Sequence, residues 1–162
     1  MTIVSAKKAY EYAKANFPVF PKSWYISNNF TWNEVFTNEL KAYQIPPFEI
    51  FENAVHAAQE FQKVRDFLGL AMDVHCWFRS KAHNLLLKAQ GYRPAMHSSH
   101  LWAFAIDFSV RGMPDDKVRE KLMQGVKSGK LKIRIEAKTK GWVHADVGNP
   151  YLNDYRWGTF NP

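Results

Sequence analysis

The chain has 162 residues, 46% of them hydrophobic and 15% aromatic, a composition that closes a hydrophobic core and excludes intrinsic disorder. No apolar run reaches the ~20 residues that cross a bilayer, and the single cysteine, Cys76, excludes an intrachain disulfide and a zinc site built on cysteines. The formal net charge of +7 points to an anionic partner (nucleic acid, an acidic membrane surface or an anionic cell wall) without choosing among them.

The N-terminal stretch MTIVSAKKAYEYAKANF lacks the apolar h-region of a secretory signal, so synthesis in the cytoplasm is expected. Ser5 caps a short helix through about Ala15, ended by Pro18 and Pro21. Thr31 and Glu34 in TWNE have capping-box spacing and open a second helix. After Pro46 and Pro47, a longer helix runs from Glu49 to Leu68. It has Ile50, Ala54, Ala57, Ala58, Phe61, Val64 and Phe67 on one face, and Gly69 as its stop. AMDVHCWF, from Ala71 to Phe78, reads as a strand, and Ser80 caps a helix that ends at Gly91. Phe104 to Val110 is a second strand. Asp115, preceded by Pro114, opens a helix to Ser128 that Gly129 stops.

KIRIEA and WVHADV, separated by KTKG, read as a β-hairpin, and the tail after Gly148 shows no periodicity. Helices come first and strands later. The expected class is therefore α+β: a small, mostly antiparallel sheet with N-terminal and flanking helices. With no repeat, low-complexity tract or Gly/Ser linker, residues 1–162 are expected to form a single domain.

The stretch SSHLWAFAIDF sets an imidazole, His100, seven residues ahead of a carboxylate, Asp107, and WVHADV carries a second imidazole, His144. Two histidines and one aspartate on rigid elements are a minimal ligand set for a zinc ion with one open position. Each has an ordinary alternative: a loop histidine, a salt-bridged aspartate, a sheet histidine. Among the other histidines, His56 lies beside the apolar stripe of its helix and His97 is a loop residue near the site, while His75 and His83 are ambiguous. Cys76, in an apolar strand, reads as a buried inert thiol.

These same segments carry a family resemblance. SSHLWAFAIDF resembles the Ser-x-His-x-x-Gly-x-Ala-x-Asp motif of the zinc D-alanyl-D-alanine carboxypeptidase family, which includes peptidoglycan endopeptidases and phage endolysins. WVHADV resembles the family's later Trp-Val-His-x-Asp segment. VHCWFRSKAHN is similar to a strand ending in Gly-Tyr-Arg-Ser followed by a helix bearing Asn. NNFTWNEVF is similar to an opening Asn-Phe-Thr-x-x-Glu-Phe phrase. The similarity runs from about residue 29 to 148 in the family's order.

The resemblance implies one Zn²⁺ held by His100, Asp107 and His144, a substrate-binding Arg79 that reads a carboxylate or carbonyl, and a substrate contact at Ser98. It also implies hydrolysis of a peptide bond in bacterial peptidoglycan stem peptides, as a carboxypeptidase or an endopeptidase, by a cell-wall lytic enzyme.

Two positions depart from the family pattern. Ala103 stands where the family has Gly. Gly141 stands where many members place an acid three residues before the last histidine, so the general base passes to Glu136 or Asp146. Asp146 shares a strand face with His144, or else orients an imidazole. Glu136 faces His144 if the hairpin loop is Thr139-Lys140-Gly141, and turns away if it has two residues.

A catalytically inactive, zinc-binding relative with a structural or wall-binding role is the alternative. A nucleic-acid-binding module is disfavoured because the Lys and Arg residues are scattered and no nucleic-acid motif is present. The expectation is a monomer acting on bacterial peptidoglycan, without specific nucleic-acid binding or membrane insertion. Absent signal, small size and basic charge fit a phage endolysin or virion-associated lysin, with a bacterial origin left open.

Overall fold

A computed structural model of the chain describes residues 1–161. Thr2–Ile3 (β1) pairs in parallel with Trp24–Tyr25 (β2) on either side of helix Ala6–Asn16 (α1). Ser5 caps α1 by accepting from the Lys8 N–H, as its sequence position predicts. The Thr31 capping box is complete: Thr31 Oγ1 accepts from Glu34 N–H, and Glu34 Oε2 accepts from Thr31 N–H at 2.6 Å. It starts only a four-residue helix, Trp32–Val35 (α2). The long helix Phe48–Leu68 (α3) begins directly after Pro47 and ends at Gly69, whose φ of 71° needs a residue without a Cβ.

Met72–Cys76 (β3), helix Lys81–Ala89 (α4), a 3-10 turn at Ser99–Trp102 and Ala105–Val110 (β4) follow. Helix Asp115–Lys127 (α5), Arg134–Glu136 (β5), Val143–Asp146 (β6) and Gly158–Phe160 (β7) complete the chain. The main sheet has the order β3-β4-β6-β5-β7, antiparallel throughout except for the parallel β5–β7 pair. The expected α+β class and mostly antiparallel sheet are therefore observed. The tail that showed no periodicity contributes the edge strand β7, three residues whose pairing partner lies far away in sequence.

Strand alternation gives the sheet one apolar and one polar face. Ile106, Phe108 and Val110 of β4, Val143 and Ala145 of β6 and Ile135 of β5 join the hydrophobic core with α3 and α5. That core is dense in aromatic rings: Trp77 meets Phe30 edge-on at 5.6 Å and Phe61 at 5.1 Å, and its indole N–H donates to the Ala103 carbonyl at 2.9 Å. Asp107, His144, Asp146, Arg134 and Glu136 alternate with the core residues and occupy the opposite face. Among the described residues no helix is long and apolar enough to cross a membrane.

Candidate metal centre

Asp107 and His144 are direct cross-strand partners in the β4–β6 pair, which puts their side chains on one face at short range. His144 Nδ1 lies 2.8 Å from Asp107 Oδ1. His100 arrives from the 3-10 turn, where Ser98 accepts from the His100 N–H and the Ala103 N–H closes back onto the His100 carbonyl. Ala103 sits in the left-handed region at φ 59°, the conformation that glycine adopts without cost, which gives a physical reason for the family's Gly at this position.

The His100 ring is 2% exposed and its two nitrogens have different partners. Nδ1 lies 2.6 Å from the Trp77 carbonyl, which only accepts, so Nδ1 carries a proton, and Nε2 is the nitrogen that offers a lone pair when the ring is neutral. Nε2 faces Asp107 Oδ2 at 3.2 Å, yet it is buried without a hydrogen bond. An orphaned imidazole nitrogen beside a carboxylate, with a second imidazole on the other oxygen of that carboxylate, is a donor set suited to Zn²⁺.

The charges respond accordingly. Burial disfavours the charged His100 ring, but Cys76 and Asp107 outweigh it and hold the ring well above its ordinary value. Burial also opposes the charged His144 ring, and hydrogen bonding to Asp107 and Asp146 raises it nonetheless. Asp107 is held far below the usual carboxylate range: burial pushes it up, and the two imidazoles more than reverse that. Without a metal, protons supply the positive charge that this carboxylate requires.

The two acidic candidates for the base are placed very differently. Asp146 is fully buried and its oxygens are engaged. It accepts two hydrogen bonds from Arg134, from Nε at 2.7 Å and Nη2 at 2.8 Å, one from the Gly148 N–H at 2.9 Å and one from Ser99 Oγ at 3.3 Å. It also lies 3.5 Å from His144 Nε2, so it braces the ring that Asp107 holds from the other nitrogen. Glu136 lines an open cleft of about 1090 Å³ together with His144, Ser98, Arg156 and Trp157. Arg134 pairs with Asp146 and Ile135 with Ala145, and one further step of that register would set Glu136 opposite His144. This is the register expected for the three-residue loop, although the strands part earlier and residues 137–142 make the connection.

Arg79 follows β3 and precedes the α4 cap, Ser80. Its N–H donates to the His100 carbonyl at 3.1 Å and its Nη2 to Ser98 Oγ at 3.5 Å, so both substrate-binding candidates sit beside the histidine turn. Glu39 secures the start of α4 by accepting from the Ser80 N–H at 3.0 Å. His75 and His83 lie apart from this cluster: His75 is exposed and hydrogen-bonded with Ser109, and His83 binds the Asn38 carbonyl.

Sequence reasoning missed two participants. Arg134 alternates with Glu136 in KIRIEA, so its face was legible; its bidentate grip on Asp146 was not. Cys76 is buried as expected, but it stands in the group of donors with His100 and Asp107, whose ligand atoms lie within 4.8 Å of one another. A family model described as Peptidase M15 matches residues 28–146. No curated protein and no solved structure matches the chain.

Proposed function

The chain belongs to the Peptidase M15 family, zinc-dependent peptidases, and on that premise we propose that it hydrolyses a peptide bond in bacterial peptidoglycan stem peptides as a cell-wall lytic enzyme. The observation that carries this reading is the convergence of His100 Nε2 and His144 Nδ1 on the two oxygens of Asp107, with His144 opening onto the cleft. His100, Asp107 and His144 are the ligands in this reading. Zinc held there supplies Lewis acidity to a scissile carbonyl and lowers the pKa of water from about 15.7 toward about 7.

The protein's own groups divide the remaining work. Arg79 offers a planar guanidinium to a substrate carboxylate or carbonyl, and its tether to Ser98 keeps it at the rim of the histidine turn. Glu136 takes the proton of the attacking water and returns it to the leaving amine, the standard work of a carboxylate facing such a site. Asp146 and Arg134 keep the His144 ring in place. An open cleft of about 1090 Å³ has room for a multi-residue stem peptide, whether a terminal residue or an internal bond is cut.

The inactive, zinc-binding alternative draws its support from Gly141, which lies at φ 87° in an exposed turn and offers no acid. Glu136, which lines the cleft together with His144, supports the active reading. The test is digestion of purified sacculi by the zinc-loaded protein, followed by amino-group assay and mass spectrometry of the fragments. New amino termini, abolished by chelator, are expected. A folded, zinc-loaded protein that releases no amino groups from any wall chemotype overturns the proposal.

A further inference from the structure

The donors at the centre do not end with the two histidines and the aspartate. β3 pairs with β4 in a regular register, Met72 with Val110, Asp73 with Ser109 and Val74 with Phe108, and the next step would set His75 opposite Asp107. A bulge between Val74 and Cys76 breaks that register, and Cys76 takes the place opposite Asp107 instead. Bulges re-aim side chains in this way. Cys76, Asp107 and His144 consequently form one row across three adjacent strands, on one face of the sheet. Cys76 is 5% exposed, yet it stands outside the apolar core cluster that takes its neighbours Trp77 and Phe78. Its Sγ lies 3.7 Å from His100 Nδ1, within the group of Cys76, His100 and Asp107 ligand atoms that all lie within 4.8 Å of one another, and the buried Nε2 of that ring lacks any hydrogen-bond partner.

We propose that Cys76 is a fourth protein donor at this metal centre, so that the loaded site contains a metal–thiolate bond. The inference rests on the metal-site reading above and extends it. Zinc accepts thiolate sulfur as readily as imidazole nitrogen, and it expands to five-coordinate, so a sulfur donor is compatible with an added water. A soft donor also biases the site toward thiophilic ions such as Cd²⁺ over harder divalent cations.

Cobalt(II) titrated into the metal-free full chain, kept reduced without added thiol, reads the bond directly. A near-ultraviolet thiolate-to-cobalt charge-transfer band is expected alongside the visible d–d bands. In Cys76→Ser the charge-transfer band disappears while visible bands remain, and the Kd for Cd²⁺ rises about tenfold or more. Visible bands without a charge-transfer band in the unsubstituted protein overturn the thiolate proposal and leave the His100, Asp107 and His144 reading standing. Absence of any cobalt spectrum overturns both. Because the unsubstituted protein alone decides, the test survives a serine variant that fails to fold.

Discussion

Asp107 carries one imidazole on each carboxylate oxygen: His144 Nδ1 is 2.8 Å from Oδ1, and His100 Nε2 is 3.2 Å from Oδ2. The sheet fixes the first of these contacts, because the two residues are cross-strand partners. The second depends on the Ser98-capped turn that delivers His100. The carboxylate is the shared element, and its loss leaves two buried imidazoles with no common partner.

Replacing either histidine therefore removes metal without removing the sheet. His100→Ala and His144→Ala are expected to purify folded but with zinc far below one ion per chain, and peptidoglycan hydrolysis drops to the chelator-treated level. Elemental analysis beside circular dichroism checks both halves. Stoichiometric zinc retained in either variant would remove that residue from the ligand set.

The two candidate bases separate in a different way. Glu136→Gln keeps shape and zinc, and its expected effect is a fall in kcat of about 10²- to 10⁴-fold, the usual contribution of a general base. Asp146→Asn breaks a buried ion pair with Arg134, an arrangement whose disruption costs about 3–5 kcal/mol. Urea denaturation and steady-state rates together distinguish a base from a brace. Full activity in Glu136→Gln would return the role to another group.

Much of this arrangement was legible in the sequence, since it rests on local rules. Thr31 with Glu34, Gly69 after an apolar stripe, and His144 alternating with Asp146 each announce their own geometry within a few residues. Other features depend on partners far along the chain. β7 exists because Gly158–Phe160 finds β5, where Arg134 also lies over the Phe160 ring at 4.6 Å. The β3 bulge that exchanges His75 for Cys76 is a property of strand pairing, and alternation read from VHC alone puts Cys76 on the wrong face. Ala103 was legible only as a departure; its positive φ supplies the physical reason for the family's Gly.

Stability of the metal-free protein should fall at both ends of the pH scale, for opposite reasons. The raised imidazoles of His100 and His144 contribute stability that is fully present below their ordinary value of about 6.5 and is lost as pH rises through their raised values. The depressed carboxyls of Asp107 and Asp146 contribute stability present above about 3.9, lost as pH falls through their depressed values. Metal requires the deprotonated rings, so zinc binding gains with pH where the proton-bound form weakens. Melting curves with and without zinc should show a Tm increment that widens from about pH 5.5 to about pH 8. An increment independent of pH would contradict proton–metal competition at these rings.

Arg79 is the group whose function depends most on shape. Its N–H is locked to the His100 carbonyl and its Nη2 touches Ser98, so the guanidinium is placed by the same turn that places a ligand. A lysine keeps the charge but loses the fork that grips two oxygens at once. Hydrogen bonds to charged groups contribute about 1.5–3 kcal/mol, and the loss of one corresponds to roughly a 10- to 150-fold fall in kcat/KM. Arg79→Lys is expected to show that fall mainly as a higher KM on stem peptides, with zinc content and Tm unchanged. If the defect lies instead in kcat with KM preserved, the guanidinium acts on the reacting carbonyl in the transition state. An unchanged kcat/KM would place substrate recognition in the cleft itself, which Arg156 and Trp157 line and Arg79 does not.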